Sequence, residues 1–113
     1  MLGLVYIFMD SSVHKEFTML SLRDHICVAI ETKRRVQFEY HNKVRVAEPQ
    51  ACGISTKGNE VARFHLIEGG NRPEQLFTVA EIKSFTILNE RFSNPGPNYS
   101  KNDSAMKQIF CQL

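Results

Sequence analysis

The stretch from Arg34 to Gln50, R-R-V-Q-F-E-Y-H-N-K-V-R-V-A-E-P-Q, leaves few choices for the fold around it. Val36, Phe38 and Tyr40 alternate with Arg35, Gln37 and Glu39; after His41-Asn42-Lys43, Val44 and Val46 alternate with Arg45 and Ala47. A period of two on both sides of a short polar break predicts a β-hairpin with one buried face. Pro49 has no amide hydrogen and is expected to close the second strand or to sit at its edge.

A hairpin cannot bury its apolar face alone, and the flanking sequence supplies the cover. Ser21 followed by Asp24 resembles a capping box, although Glu or Gln is the usual third residue. Leu22, Ile26, Ala29 and Ile30 then fall on one helical face. The spacing predicts a helix from Leu22 to near Lys33, lying against the sheet. After the hairpin, residues 50–59 are rich in turn formers, and a third strand is expected from Val61 to Glu68 with Ala62, Phe64 and Leu66 on one face. Gly69 to Pro73 is a turn or an exposed loop. Leu76–Ala80 and Ile82–Leu88 are either one bent strand or two strands meeting at a corner. Asn94-Pro95-Gly96-Pro97-Asn98 breaks the pattern, and the tail satisfies both a helical period (Met106, Ile109, Phe110, Leu113) and a strand period (Ile109, Cys111, Leu113). The expected organisation is a leader or edge segment over 1–20, a helix with strands over 21–93, and a C-terminal extension over 94–113.

Length and composition bound the function classes. With 113 residues, 42% hydrophobic and 23% charged, the chain is one ordinary globular domain. A net charge of +2 does not by itself announce a polyanion partner. Cys27, Cys52 and Cys111 are odd in number, widely spaced and without C-x-x-C, which argues against a disulfide framework or zinc knuckle and favours a reducing, cytoplasmic setting. The opening M-L-G-L-V-Y-I-F-M-D is apolar but lacks the basic flank of a signal peptide and the length of a membrane span, so no membrane association is expected.

The order of motifs resembles a WYL domain. The resemblance is carried by I-x-x-A-I (Ile26, Ala29, Ile30), V-x-F-x-Y (Val36, Phe38, Tyr40) and R-V-x-x-P (Arg45, Val46, Pro49), followed by a Gly58 turn, L-F-T-V-A-E-I from Leu76 to Ile82, and Phe92. It covers residues 22–92. It implies a mainly β fold with one N-terminal helix, a small SH3-like (Sm-type) β-barrel, and a regulatory module that senses a nucleic acid or nucleotide. Three departures stand out. Glu60-Val61-Ala62 replaces the family's tripeptide, and Thr78 and Glu81 stand where its members often place arginines. The segment before the helix is expected to be too short for the two packed helices of a helix-turn-helix, so a stand-alone, diverged module is expected.

The basic cluster Lys33, Arg34, Arg35, Lys43 and Arg45 reads either as a helix cap with a solvated strand face or as a phosphate-contacting strip. Tyr40 is core, rim or base-stacking platform. Arg63 and His65 share a strand face suited to an anion, a base edge or plain solvent. No H-x-x-x-H, H-x-E, G-x-S-x-G or P-loop pattern occurs, and Cys52 and His65 lack an orienting partner, so neither metal, cofactor nor catalysis is expected. The candidate ligand or nucleic-acid surface is therefore Arg35, Tyr40, Arg45, Arg63 and His65. The rival expectation is a homodimer or protein-docking module using the apolar N-terminus and the Ile109-Phe110 tail. A small-metabolite sensor is the third.

Overall fold

The computed structural model describes residues 20–113. The expected N-terminal edge strand or leader lies outside the described residues. Helix α1 (Leu22–Thr32) starts as its cap dictates: the Ser21 hydroxyl accepts the Asp24 amide at 3.2 Å, and the Asp24 carboxylate accepts the Ser21 amide at 3.3 Å. The shorter Asp closes the box as Glu would. Lys33 ends the helix in the left-handed conformation, at φ 53°, and gives its amide to the carbonyls of Ala29 and Ile30. Ile26, Ala29 and Ile30 are buried, as their spacing predicts, and His25 joins them.

Six antiparallel strands follow: β1 (Arg34–Tyr40), β2 (Lys43–Ser55), β3 (Glu60–Glu68), β4 (Glu74–Thr78), β5 (Ile82–Arg91) and β6 (Met106–Gln112). The fold is mainly β with one N-terminal helix. The sheet order is β4-β3-β2-β1-β5, with β6 also paired to β2, and the ladder does not close on itself. His41 and Asn42 turn the β1–β2 hairpin with φ of 52° and 64°, the double positive φ of a type I′ turn. Between β4 and β5 lies a single 3₁₀ turn, Val79–Glu81, so the two apolar runs are two strands meeting at a corner. A three-residue connection between the two ends of the sheet path requires the sheet to coil strongly.

Pro49 does not end β2. The strand continues through it to Ser55, and Pro49 sits between the last rung to β1, at Ala47, and the first rung to β6, at Ala51. A missing donor costs no ladder bond where one partner has left and the next has not begun. The tail resolves into strand β6, which occupies the side of β2 that β1 vacates.

The inner face of the sheet and α1 enclose one core. Phe38, Phe64, Phe77 and Phe85 form its centre, with Phe38 at centroid distances of 5.0, 5.3 and 6.3 Å from the other three. A smaller apolar cluster of Ala51, Val61 and Met106 lies apart from this core, packed by Leu76 and Ile109. Among the described residues no helix is long and apolar enough to cross a membrane.

Cys27 of α1 and Cys111 of β6 form a disulfide, contrary to the expectation from an odd, dispersed cysteine set. The bond joins residues 84 apart in sequence, and closing so long a loop removes unfolded-state entropy worth about 4 kcal/mol. Replacing both cysteines by serine, or adding reductant to the wild type, should lower Tm by about 10 °C or more. Calorimetry of the oxidised and reduced protein checks this, and equal Tm values would refute a stabilising bond.

His25 is 2% exposed and its Nε2 has no partner among the described residues. Burial lowers its pKa below 6.5, with the nearby Asp24 carboxylate acting in the opposite direction. The unfolded chain therefore takes up a proton that the folded chain refuses, so this contribution is complete above 6.5 and lost as pH falls below it. Wild-type Tm should drop as pH falls from about 6.5 to about 5, and His25→Gln should flatten that drop. Parallel pH slopes for the two proteins would exclude His25 as the cause.

Candidate functional site

The five candidate residues separate into two groups on opposite faces of the sheet. Tyr40 and Arg45 belong to the inner face, at the hairpin end. Arg35, Arg63 and His65 belong to the outer face.

Tyr40 is buried, packed edge-on against Phe77 at 4.7 Å and stacked by His41 at 4.2 Å. Its hydroxyl accepts the Thr78 amide at 3.1 Å, pinning β1 to the β4–β5 corner. With its ring packed between neighbours and its hydroxyl bonded, the side chain serves first as a structural pin. His41 is in turn hydrogen-bonded to Glu81. Arg45 lies over the rings of Tyr40 and Phe77, at 5.6 and 5.7 Å, and donates from Nη2 to the Tyr40 carbonyl at 3.2 Å. Its Nε is buried without a partner, and among the described residues no carboxylate pairs with it. Lys43 is exposed beside it at the hairpin turn.

On the outer face each arginine is matched by an acid. Arg35 Nε meets Glu48 Oε2 at 2.9 Å, and the Glu48 side chain is only 10% exposed. Glu48 is the ladder partner of His65, which is in turn the partner of Glu74. Arg63 donates to both oxygens of Asp103, at 2.8 and 3.3 Å. Burial works to raise the Asp103 carboxyl, but the Arg63 hydrogen bond, the Ala105 amide and the Arg63 charge together hold it below its ordinary 3.8. The neighbouring Tyr99 hydroxyl is pushed up by burial and by Asp103, and it donates to the Leu113 carbonyl. Gly96 lies over this face: a Cβ there would fall 2.7 Å from the His65 ring and 2.9 Å from the Gln50 amide nitrogen. Gln50 is fully buried, with neither amide atom hydrogen-bonded among the described residues.

Chemically, the outer face is a neutralised polar layer, whereas the hairpin end keeps an uncompensated cation against aromatic rings. Sequence patterning finds the arginines, and Glu48 as an acid near the basic cluster, but not the counter-ion of Arg63, because Asp103 lies forty residues beyond it. Among the described residues no three His, Cys, Asp or Glu side chains group as a metal site. Cys52 faces the core, where burial and then Glu60 push its thiol up to about 12; His65 is on the other face of the sheet. Comparison with protein-family models, with curated proteins and with solved structures finds no match to this chain.

Asp103→Asn should destabilise the protein at neutral pH by about 1–3 kcal/mol, because Arg63 keeps its charge and loses its counter-ion. A carboxyl held below 3.8 stabilises above that value and loses its contribution as pH falls through it. Urea titrations from neutral to acid pH should therefore show a shallower acid loss in Asp103→Asn, and an unchanged acid limb would contradict this role.

Proposed function

We propose that this chain is a non-enzymatic, WYL-like binding module that recognises a phosphate-bearing ligand, nucleic acid or a nucleotide, through the hairpin end of its sheet. The observation that carries the proposal is Arg45: it is held rigidly over Tyr40 and Phe77, lacks a carboxylate among the described residues, and has exposed Lys43 beside it. A cation fixed by aromatic contacts loses little entropy on meeting a phosphate. Support for the WYL-like reading comes from the placement of its motifs, since Val36, Phe38 and Tyr40 all fall in the core and Ile26, Ala29 and Ile30 meet them from the helix. On this reading the coiled sheet is an SH3-like (Sm-type) barrel left open between β4 and β5. Arg35, Arg63 and His65 then act as a supporting layer, with ligand contact centred on Arg45. An accessory or regulatory role in transcription would follow from the same resemblance.

The compartment is part of the proposal. The Cys27–Cys111 bond weighs against the reducing cytoplasm expected from an odd cysteine count, because structural disulfides persist chiefly in oxidising surroundings.

Docking on a protein or a second copy is the alternative. It is weakened at one of its two apolar ends, because Ile109 is partly buried against the smaller cluster and Phe110 lies under Arg23 at 4.1 Å. It gains Val44, 58% exposed, and Ile67, 39% exposed, at the open end of the β2–β3 pair.

Fluorescence anisotropy of labelled mixed-sequence oligonucleotides, single- and double-stranded, separates the two. Arg45→Ala should weaken binding several-fold and lower the salt slope by about 0.7 for a single strand. Arg35→Ala/Arg45→Ala should bind no better than Arg45→Ala alone. Absence of binding at low salt would sink the nucleic-acid reading, and a salt-insensitive dimer lost in Val44→Asp would favour docking.

A further inference from the structure

A second cationic site lies at the other end of β1, about 20 Å from Tyr40 at the usual rise per strand residue. Arg34, the first residue of β1, is the direct ladder partner of Arg91, the last residue of β5. Directly opposed residues of an antiparallel pair put their Cβ atoms about 5 Å apart on one face, and like charges so placed repel. Lys33 precedes the pair, fixed by its left-handed conformation and by its carbonyl, which accepts the Phe92 amide at 2.9 Å. The three basic residues therefore belong to two chain segments bolted together at one point.

Apart from Arg45, the chain compensates its other strand and helix arginines differently. Arg23, Arg35 and Arg63 each hold a carboxylate, at 3.0, 2.9 and 2.8 Å. Among the described residues none of Lys33, Arg34 and Arg91 does; Lys33 and Arg91 line one open cleft with Glu31, Phe92 and Ser93, and Arg34, which does not line it, joins them as the neighbour of Lys33 and the ladder partner of Arg91. The Arg34 Nε is buried with no hydrogen-bond partner among those residues. The negative end of α1 answers Lys33, but a partial charge of about one half does not offset two opposed guanidinium groups as well.

We infer that Lys33, Arg34 and Arg91 form a binding site for a phosphate monoester, the group shared by free phosphate and a nucleotide's terminal phosphate. Two guanidinium groups offer paired donors to oxygens of one tetrahedral anion. A dianion matches three cations opposed by one carboxylate better than a singly charged carboxylate ligand does. The inference is independent of oligonucleotide binding at Arg45, because the two sites share no residue.

Thermal unfolding at constant ionic strength, with inorganic phosphate replacing chloride, tests it on the whole chain. Phosphate at about ten times its dissociation constant should raise wild-type Tm by about 5 °C. Arg34→Gln and Arg91→Gln should each abolish the shift, and Arg91→Gln should be at least as stable as wild type in chloride because the repulsion is gone. Arg35→Ala/Arg45→Ala should keep the full phosphate shift even if it loses oligonucleotide binding. Adenosine monophosphate should match phosphate, whereas adenosine should do nothing. No phosphate shift in the wild type, or the same shift in Arg91→Gln, would overturn the site; a shift with adenosine equal to that with its monophosphate would do so too.

Discussion

Every other element takes its place from β2. This thirteen-residue strand is too long to stay flat, and it carries β3 along one side while the other side passes from β1 to β6. The change of partner falls at Pro49 and Gln50, where the ladder to β3 also slips register. A proline is tolerated there because no strand needs its donor, and the bulge adds the twist that aims the two halves of β2 differently. Gly53 completes the arrangement: a Cβ at that position would lie 2.1 Å from the Gln108 carbonyl, so only glycine lets β6 come in against β2. Coiling of the sheet then brings β4 near β5, and the Tyr40 hydroxyl holds the corner by accepting the Thr78 amide.

The same geometry decides where charge is available. On the outer face Arg35 and Arg63 hold acids that are themselves nearly buried, and removing either arginine would strand a carboxylate rather than free a binding surface. Those pairs act through position: Arg63–Asp103 ties the 93–105 segment down, and Gly96 lets that segment lie against His65 and Gln50. Among the described strand arginines, those without a carboxylate partner lie at the ends of β1, at Arg45 on one side and at Arg34 and Arg91 on the other.

Local signals were legible and long-range ones were not. Ser21 and Asp24, the Leu22-Ile26-Ala29-Ile30 face and the Val36-Phe38-Tyr40 alternation each depend on residues within one or two turns, and each appears where its period puts it. The tail satisfied both periods equally, and what selects the strand is the vacant side of β2, more than fifty residues upstream. Pro49 misled for the same reason, since its cost depends on whether a neighbour stands opposite its missing donor. Residue types at the candidate site were likewise readable, and Glu48 was visible as an acid near the basic cluster, but that it takes Arg35 and that Asp103 takes Arg63 depend on contacts 13 and 40 residues apart.

The cysteines show most clearly why counting fails where geometry decides. All three meet in one region: Cys52 stands opposite Cys111 in the β2–β6 ladder, and Cys111 is bonded to Cys27 of the helix. Parity says only that one thiol remains. Burial selects which one, because Cys52 is wholly enclosed and its thiol, pushed up to about 12, stays protonated and inert at neutral pH. Cys27 and Cys111 are partly exposed and so open to oxidation. The bond they form also falls where it does most, since β6 is joined by its ladder to β2 alone and follows the exposed stretch around Asn94–Asn98. Tying β6 to α1 gives it a second anchor across the core face, so the helix, the long strand and the tail hold one another in place.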